Sequence, residues 1–428
     1  MSKSANITIE SVGSRGDGIG HLEDGRKVFV PYALPGESVS VEIAGKRDDG
    51  LTSNLIDVAV PSPDRIAPAC KHFGTCGGCV LQHMSDDAYR SFKIDALQKT
   101  LGSLSSVDID GPHVSPPGSR RRAVMAAYRD QNMLVLGFNQ SRSNKIVDIE
   151  ECPVLVPRLT AIVPALRETL FKILTSGQGM DVAMMESAGA VDIVLRPWVR
   201  KKSKDPIPLF ILEHLTKFAE KANIARLSWQ NSADDDTDLT PVAWRAPFTI
   251  DLSGTSVTPP PGAFLQATAE GEAKLVSSVL SAIKGKKQKI VDLYAGCGTF
   301  TFALSGVGHK VHAVEGFALA LSALKIAMPG RPVTAEKRDL AREPLSPKEL
   351  SAYDVIVLDP PRVGAFEQAK MIARSNVKQV IYVSCSSASF ARDAKVMVDA
   401  GYVLESLTVV DQFLWSPHLE LVGVFIKA

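Results

Sequence analysis

The chain lacks most of the features that mark membrane, secreted or polyanion-binding proteins. It has no run of about 18 apolar residues, the length that a membrane-spanning helix needs. Its N-terminus has no apolar core of the kind that directs secretion, so we expect a cytoplasmic protein without a membrane partner. The net charge is only +1, which argues against nucleic-acid binding through bulk positive charge but allows a local basic groove.

Cysteine is also scarce, with six in 428 residues. A reducing compartment disfavours disulfide bonds, so metal binding, catalysis or burial must account for each cysteine. Cys70, Cys76 and Cys79 lie in CKHFGTCGGC, and Cys152 precedes a proline further along the chain. The two glycines before Cys79 let the backbone turn so that sulfurs can face one centre. Four thiolates suit zinc or an iron–sulfur cluster, and the spacing alone does not separate the two.

Composition divides the chain into three predicted domains. Residues 1–60 alternate short apolar stretches with Gly and Asp turns, which is typical of a small antiparallel β-barrel. A linker with three prolines leads to residues 61–260, which mix helices with strands and end in a second proline cluster. In residues 261–428, apolar strands alternate with helices, which indicates a doubly wound α/β sheet covered on both faces.

The stretch IVDLYAGCGTF ends a predicted strand and begins a helix at once. Gly296 and Gly298 let a ligand approach the backbone at the carboxyl edge of the sheet, where open α/β sheets bind nucleosides. The third glycine of the dinucleotide pattern is missing, so NAD is the lesser interpretation. Glu315 ends the next strand, where its carboxylate can accept both ribose hydroxyls, and Asp339 ends the third strand near the expected adenine.

Two further strand ends carry residues suited to chemistry on a nucleobase. Asp359 ends the fourth strand in VLDPPR, where two prolines hold a rigid, extended turn. Cys385 ends the next strand and begins a helix, whose N-terminus is expected to lower the thiol pKa. A thiolate that adds to carbon 6 of a pyrimidine turns carbon 5 into a nucleophile, and a base must then remove the proton on carbon 5. Glu420 in SPHLELV is the candidate base, with His418 two residues before it.

Together these motifs resemble the family of S-adenosylmethionine-dependent RNA 5-methyluridine methyltransferases, in its ribosomal-RNA branch. The resemblance covers nearly the whole chain. Residues 1–60 are similar to the OB-like, RNA-binding TRAM barrel. The segment from Cys70 to His83, with Cys152, is similar to the family's [4Fe-4S] ligand set. The resemblance implies a class I methyltransferase (Rossmann-like) sheet in the last domain and an α+β iron–sulfur fold in the central one.

The resemblance also implies roles for single residues. Cys385 falls on the nucleophile and Glu420 on the base, and Arg362 and His418 are expected to contact the substrate together with Asp359. The residues expected around S-adenosylmethionine are Gln266 in GAFLQAT, Tyr294, Gly296, Gly298, Thr299, Glu315, Asp339 and Asp359. The family often has asparagine at the positions of Thr268 and Thr299, and a proline and a threonine before HLE that FLWSPHLE lacks. It is therefore open whether Thr299 makes the usual contact.

The expected function is methyl transfer to carbon 5 of a uridine in RNA, through a covalent cysteine–uracil adduct, by a monomer. Ribosomal RNA is the expected partner and transfer RNA the second choice. An RNA 5-methylcytosine methyltransferase is the nearest alternative, but that family has a second cysteine directly after its paired prolines, where this chain has Arg362. A non-catalytic iron–sulfur RNA-binding or assembly factor is the other alternative. The run from Arg120 to Arg122 would serve either class, whereas intact Cys385 and Glu420 favour an enzyme.

Overall fold

The first part of the chain folds into a closed five-stranded barrel. The computed structural model describes most of the chain, namely residues 4–47, 49–198, 206–231 and 238–427, and the remaining positions of the predicted domains lie outside the described residues. The strands are β1 (Ser4–Val12), β2 (Gly18–His21), β3 (Lys27–Val30), β4 (Ser38–Arg47) and β5 (Gly50–Val60), in the order β1-β2-β3-β5-β4. Alternate side chains such as Ile9, Val30 and Val41 fill its interior. The predicted N-terminal β-barrel is confirmed.

Two elements lie between the barrel and the next sheet. They are helix α1 (Asp86–Leu101) and strand β6 (Ile109–Val114). Helix α1 begins at Ser85, whose hydroxyl accepts a hydrogen bond from the N–H of Ala88 at 3.3 Å. Such a cap satisfies one of the backbone donors that every helix start leaves unpaired.

A seven-stranded sheet forms the centre of the molecule. Its strands are β7 (Arg122–Arg129), β8 (Leu134–Asn139), β9 (Ile146–Asp148), β10 (Gly179–Ser187), β11 (Ala190–Pro197), β12 (Arg226–Gln230) and β13 (Leu239–Trp244), in the order β13-β12-β11-β10-β7-β8-β9. The helices packed on it are α2 (Pro157–Ala161), α3 (Val163–Ile173) and α4 (Leu209–Lys221). Leu166 of α3 and Leu215 of α4 share a buried core with Met125 and Ile193 of the sheet. The three helices therefore cover one face of the sheet, and the opposite face can contact other parts of the protein.

An eight-stranded sheet occupies the C-terminal part and follows the short pair β14 (Ile250–Asp251) and β15 (Ser256–Val257). Its strands are β16 (Lys289–Leu293), β17 (Lys310–Glu315), β18 (Val333–Lys337), β19 (Val355–Leu358), β20 (Gln379–Ser384), β21 (Tyr402–Asp411) and β22 (Glu420–Lys427), together with β6. The helices are α5 (Ala269–Ala282), α6 (Thr299–Gly306), α7 (Ala318–Ala327), α8 (Pro347–Leu350), α9 (Phe366–Ala373) and α10 (Ser387–Val398). None of the described helices is long and apolar enough to cross a membrane.

The strand order of this sheet is β18-β17-β16-β19-β20-β22-β21-β6, and it reverses direction beside β16. Strand β16 pairs in parallel with β17 on one side and with β19 on the other, since Asp292 lies opposite both Ala313 and Val357. In open α/β sheets, ligands bind outside the carboxyl ends of the strands at such a reversal. The loops that follow β16, β17, β19 and β20 all open at this edge, so the predicted doubly wound sheet is confirmed.

Helix α1 and strand β6 belong to this last sheet although they precede the central sheet in the chain. Strand β6 pairs in parallel with β21, with Ile109 opposite Leu407. Leu97 of α1 packs in the same core as Phe390 of α10. The segment 61–260 thus contributes elements to two sheets, and its treatment as one domain stays a prediction.

A buried ion pair fixes α1 against the end of β21. Lys93 Nζ lies 3.1 Å from Asp411 Oδ2, and both side chains are fully buried. The Tyr89 hydroxyl also donates to Asp411 Oδ2 at 2.5 Å, and Lys93 Nζ donates to the carbonyl of His418 at 2.7 Å. Each charge depends on its partner, because a buried charge without one is strongly unfavourable.

We expect Lys93→Met to lower the free energy of unfolding by about 3–5 kcal/mol, because Asp411 would remain as a buried, unpaired charge. Urea denaturation followed by circular dichroism measures the loss. The control is Lys395→Met, which removes an exposed pair with Asp399 (3.0 Å) and should cost less than about 1 kcal/mol. Equal losses in the two variants would show that the buried pair does not fix α1.

Candidate active site

Cys385 directly follows strand β20 and precedes helix α10, and its side chain is half-buried. The predicted lowering of its thiol pKa is wrong. Burial raises the pKa of Cys385 to about 11, and the negative charges of Glu420 and Asp359 add to the effect. Arg362 opposes this rise without cancelling it. Desolvation and two carboxyl groups therefore outweigh the helix N-terminus, and the resting thiol is neutral.

Glu420 is the first residue of β22, the antiparallel neighbour of β20, and its side chain is buried. Burial, together with the charge of Asp359, raises the pKa of Glu420 to about 8, although a hydrogen bond from Gln412 opposes the rise. Gln412 Nε2 donates to Oε1 of Glu420 at 3.0 Å. Oε2 is buried without a hydrogen-bond partner among the described residues. A carboxyl group with one free oxygen and a pKa near neutrality is suited to accept a proton.

Asp359 follows β19 and is the second carboxyl group of the site. Gln266 Nε2 donates to its Oδ2 at 3.3 Å. Burial raises the pKa of Asp359 to about 7, and the hydrogen bond from Gln266 opposes the rise. The charges of Asp359 and Glu420 repel each other, so the loss of one charge favours ionisation of the other group.

Gln412, which was not predicted from the sequence, joins these groups. It directly follows β21 and its side chain is buried. Its Nε2 donates to Gln266 Oε1 at 2.6 Å and to Glu420 Oε1 at 3.0 Å, while its own Oε1 accepts from the N–H of Ala267 at 2.8 Å. A polar side chain at the end of the apolar run LTVV was the available signal for it.

The loop between β16 and α6 is shaped for a ligand close to its backbone. Gly296 and Gly298 have φ angles of 56° and 107°, left-handed values that favour glycine. A Cβ at Gly298 would also lie 2.5 Å from the ring of Phe302. The N–H groups of Gly296 and Phe317 donate to the two oxygens of Glu315, at 2.8 and 2.6 Å. The Glu315 carboxylate is thereby held at the mouth of the loop.

Asp292 lies beneath this loop at the end of β16 and is fully buried. Its Oδ2 accepts a hydrogen bond of 2.5 Å from the Thr301 hydroxyl, and its Oδ1 has no partner among the residues described. Burial raises the pKa of Asp292 to about 7. Thr301 lies on α6, of which Thr299 is the first residue, so this bond ties the helix to the strand.

Tyr294 directly follows β16 and lies close enough to Asp339 for the charge of that acid to act on it. Tyr294 is half-buried with a φ of 63°. Burial, together with the charges of nearby acids that include Asp339 and Glu315, raises its pKa to about 12. Asp339 is exposed, two residues beyond β18, and its Oδ1 accepts from the N–H of Ala341 at 3.1 Å. Tyr294 is thus within reach of the charges of two other predicted cofactor residues, Asp339 and Glu315.

His418 and Arg362 are exposed at the other side of the site. The His418 ring lies edge-on to Phe413, with 6.2 Å between the ring centres. The pKa of His418 is lowered, first by the partial burial of its ring and then by the positive charge of Arg362. His418 is therefore neutral at neutral pH, and Arg362 carries the positive charge there.

The four predicted metal ligands border one cavity. The cavity has a volume of about 570 Å³, and its lining includes Cys70, Cys76, Cys79 and Cys152. Burial raises the pKa of Cys79 to about 12, with smaller contributions from the charges of the other three cysteines. Within the described residues, no group of three or more His, Cys, Asp or Glu side chains is arranged to hold a metal ion. The structure therefore brings the thiols to one cavity and does not show a metal centre.

Two of the three consecutive arginines also border this cavity. Arg120 and Arg122 line it, and the Arg122 guanidinium lies 4.2 Å from the centre of the exposed Phe264 ring. Burial lowers the pKa of Arg122 to about 10, which leaves it charged at neutral pH. Arg121 instead pairs with Glu272 at 2.9 Å. Arg120 and Arg122 therefore lie at the site, whereas Arg121 makes a structural contact.

Comparison with known proteins places the chain among RNA-modifying enzymes. The family model for the TRAM domain matches residues 3–48, and the model for tRNA (Uracil-5-)-methyltransferase matches residues 332–428. An uncharacterized RNA methyltransferase from Caulobacter vibrioides is 39% identical over 433 residues, which cover 99% of this chain and 100% of that protein. The 23S rRNA (uracil(1939)-C(5))-methyltransferase RlmD from Halomonas elongata is 32% identical over 431 residues, covering 97% of this chain and 88% of that protein. The fold and these relatives define an S-adenosylmethionine-dependent RNA methyltransferase.

A solved structure shows the same architecture. The Pyrococcus abyssi tRNA (uracil-54, C5)-methyltransferase, in complex with S-adenosyl-L-homocysteine, superposes with a TM-score of 0.78 at 24% identity. The match covers 98% of this chain and 99% of that chain, so the fold is shared along nearly the whole length. From its relatives, the chain belongs to the family of S-adenosylmethionine-dependent RNA (uracil-5-)-methyltransferases.

We expect Glu420→Gln to make Cys385 react several-fold faster with iodoacetamide at about pH 9. The Glu420 carboxyl, with a pKa of about 8, is mostly ionised there, and its charge raises the thiol pKa. Removing the charge lowers the thiol pKa and so raises the thiolate fraction, which is the reactive form. Mass spectrometry of the peptide that contains Cys385 measures the rate. Glu405→Gln, at an exposed pair with Lys284, is the control, and an equal acceleration there would refute the charge interaction.

Proposed function

We propose that this enzyme transfers the methyl group of S-adenosylmethionine to carbon 5 of a specific uridine in ribosomal RNA, through a covalent adduct between Cys385 and the uracil ring. The proposal is carried by one observation: the half-buried Cys385 thiol lies close enough to the carboxyl groups of Glu420 and Asp359 for their charges to interact. Addition to carbon 6 needs a thiol, and proton removal from carbon 5 needs a nearby base.

In the proposed reaction, Cys385 acts on the uracil before the methyl group is transferred and Glu420 acts on it afterwards. The Cys385 thiolate forms a bond to carbon 6 of uracil, and the electron pair of the ring double bond moves towards carbon 5. Carbon 5 then takes the methyl group of S-adenosylmethionine, and the bonding pair stays on the departing sulfur of S-adenosylhomocysteine. Glu420 removes the proton on carbon 5, and the bond between carbon 6 and sulfur breaks, which restores the double bond and the Cys385 thiolate.

Three charged or polar groups are proposed to hold the uracil and its flanking phosphate. Asp359 lies beside the nucleophile, and Arg362 and His418 lie at the exposed side, where RNA can reach them. Cys385 ionises more readily when positive charge is near it. Arg362 supplies such charge from the protein, and the sulfonium of S-adenosylmethionine would supply more when bound.

The cofactor is proposed to lie along the loop after β16. Both oxygens of Glu315 accept backbone N–H groups, and each oxygen keeps a further lone pair for a ribose hydroxyl. The exposed carboxyl of Asp339 suits contact with the adenine end. The full set of proposed contacts comprises Gln266, Tyr294, Gly296, Gly298, Thr299, Glu315, Asp339 and Asp359.

Ribosomal RNA is the proposed substrate because of the relatives and the barrel. RlmD of Halomonas elongata is named for a uridine in 23S rRNA and matches nearly the whole chain. The TRAM match adds an N-terminal barrel of a kind found in RNA-binding proteins. Transfer RNA is the second candidate, because the matched C-terminal family model and the similar solved structure are both named for it.

A 5-methylcytosine methyltransferase is the less favoured alternative. The family of such enzymes has a second cysteine directly after its paired prolines, and Arg362 occupies that position here. A non-catalytic RNA-binding factor would have no need for a buried, partly unpaired carboxyl group beside a thiol, which Glu420 provides. Incubation with methyl-labelled S-adenosylmethionine and unmodified ribosomal or transfer RNA tests all three, because labelled 5-methyluridine, 5-methylcytidine or no labelled nucleoside separates them.

We expect two substitutions to stop this reaction at different stages. Cys385→Ala should abolish methyl transfer and leave cofactor binding nearly unchanged, because the adduct cannot form. Glu420→Gln should transfer the methyl group yet keep the RNA attached, since a general base contributes about a hundred- to ten-thousand-fold in rate. Denaturing electrophoresis with methyl-labelled cofactor shows the stalled protein–RNA band. Turnover by Cys385→Ala would refute the nucleophile, and a stalled band from His418→Ala but not from Glu420→Gln would reverse the base assignment.

We also propose that Cys70, Cys76, Cys79 and Cys152 hold a [4Fe-4S] cluster. The proposal is supported by the four thiols around one cavity and by the charge interactions that link Cys79 to the other three. Thiolates are the ligands that iron–sulfur clusters take, and zinc is the alternative for the same ligand set. The cluster would cross-link the cysteine loop rather than take part in methyl transfer.

Anaerobically purified protein should be brown, with broad absorption near about 400 nm, as thiolate-bound iron–sulfur clusters are. Cys76→Ser should remove the colour and reduce solubility, because the loop loses its cross-link. Cys297→Ser is the matched control, since this buried cysteine lies on the loop after β16, and it should keep the colour. Colourless wild-type protein with one zinc per chain would refute the cluster.

A further inference from the structure

Gln412 lies between the cofactor side and the base side of the site, and its side chain is 1% exposed. Its Nε2 lies 2.6 Å from Gln266 Oε1 and 3.0 Å from Glu420 Oε1. Its Oε1 accepts from the N–H groups of Ala267 at 2.8 Å and Thr268 at 3.4 Å. Both ends of the amide therefore have partners inside the protein.

These contacts fix which way the amide points. The backbone N–H of Ala267 can only donate, so the oxygen of Gln412 must face it. The NH₂ group must then face Gln266 and Glu420. Helix α5 also packs closely here, because a Cβ at Gly271 would lie 2.8 Å from the Cβ of Gln412. The Gln412 side chain is thus held by hydrogen bonds and by packing.

The fixed amide makes the two oxygens of Glu420 different. Oε1 accepts a hydrogen bond from Gln412, whereas Oε2 is buried without a partner in the described part of the chain. The donor from Gln412 lowers the proton affinity of Oε1, whereas no donor competes for Oε2, so a proton taken from a substrate goes to Oε2. The Gln412 amide also donates to the side-chain oxygen of Gln266. The Nε2 of Gln266 therefore faces Asp359 Oδ2, at 3.3 Å.

We propose that Gln412 is a positioning residue of the methyl-transfer reaction. It directs Oε2 of Glu420 at the proton on carbon 5, and it holds Gln266 in the orientation that faces Asp359. This inference rests on the proposed role of Glu420 as the base. Gln412 acts through the two side chains that it orients and is not itself a catalytic residue.

Gln412→Met keeps nearly the same volume and removes every hydrogen bond of the amide. Cys385 is intact in this variant, so the methyl group should still reach the RNA. The labelled covalent intermediate should last about ten- to a hundredfold longer, because a hydrogen bond to a charged group contributes a factor of that size. Single-turnover reactions with methyl-labelled S-adenosylmethionine, quenched onto denaturing gels over time, measure the lifetime of the protein–RNA band.

The pH dependence of RNA release provides a second measurement. A loss of folded enzyme would not shift this pH dependence. The hydrogen bond from Gln412 lowers the pKa of Glu420, so its removal should move the rise in release rate to higher pH. Asp359, Arg122 and Cys385 are the other charged or titratable groups that interact with Glu420, and the substitution leaves all three in place.

Gln368→Met is the matched control, because Gln368 is also a buried amide with two backbone hydrogen bonds, both to Leu345. It should leave the adduct lifetime and the pH dependence unchanged. If Gln412→Met folds poorly, Gln412→Leu replaces it, since it also removes the donor to Glu420 and puts no charge into the buried site. This variant should also prolong the adduct.

The outcomes separate this inference from the proposed function. Release of RNA by both Gln412 variants at the wild-type rate and pH dependence would overturn the positioning role, as would an equal delay in Gln368→Met. If Glu420→Gln itself releases RNA normally, the proposed base is wrong, and the positioning role fails with it. A long-lived adduct in Glu420→Gln and in the Gln412 variants, but not in Gln368→Met, supports both.

Discussion

Lys93 and Asp411 form a buried ion pair at the point where β21 ends and residues 412–419 begin. The second oxygen of Asp411 accepts from the N–H of Phe413 at 3.1 Å, and Lys93 holds the carbonyl of His418 at 2.7 Å. Both ends of this segment, which leads from Gln412 to the base, are therefore tied to the same buried charges. The segment cannot move away from α1 without leaving a charge unpaired in the interior, so the ion pair sets the position of the base.

The same segment is joined to the cysteine loop by its backbone. The carbonyl of Trp415 accepts from the N–H groups of Val80 and Leu81 at 2.8 and 3.1 Å, directly after Cys79 in the chain. The N–H of Trp415 donates to the Tyr89 hydroxyl at 2.9 Å. The cysteine loop and helix α1 thus form one connected unit with the segment that precedes Glu420. That segment lies more than three hundred residues further along the chain.

The sequence predicted those features that depend on short stretches of chain. Apolar runs that stop at Asp359 and Cys385 show where strands end, and parallel strands bring their carboxyl ends to one edge. Strand β6 was not predictable in this way, because its partner β21 lies far along the chain and the pairing leaves no local pattern. The predicted thiol pKa was wrong for the same reason: the helix N-terminus is local, whereas the burial and the two carboxyl groups that outweigh it depend on other parts of the fold. The role of Gln412 was not predictable either, because it arises only from the contacts with Ala267 and Glu420 in the folded protein.

The electrostatics of the site also depend on contacts between distant parts of the chain, because its three acids come from different strands. Burial raises the pKa of Asp292 and Asp359 to about 7 and that of Glu420 to about 8. Each acid has one side-chain hydrogen-bond donor, from Thr301, Gln266 and Gln412 respectively. One donor stabilises a carboxylate only in part, so each group is held close to the balance between its neutral and charged forms. A positive ligand shifts that balance towards the anion, and a proton from a substrate shifts it back. The burial that excludes water from the site therefore also makes its acids responsive to both events.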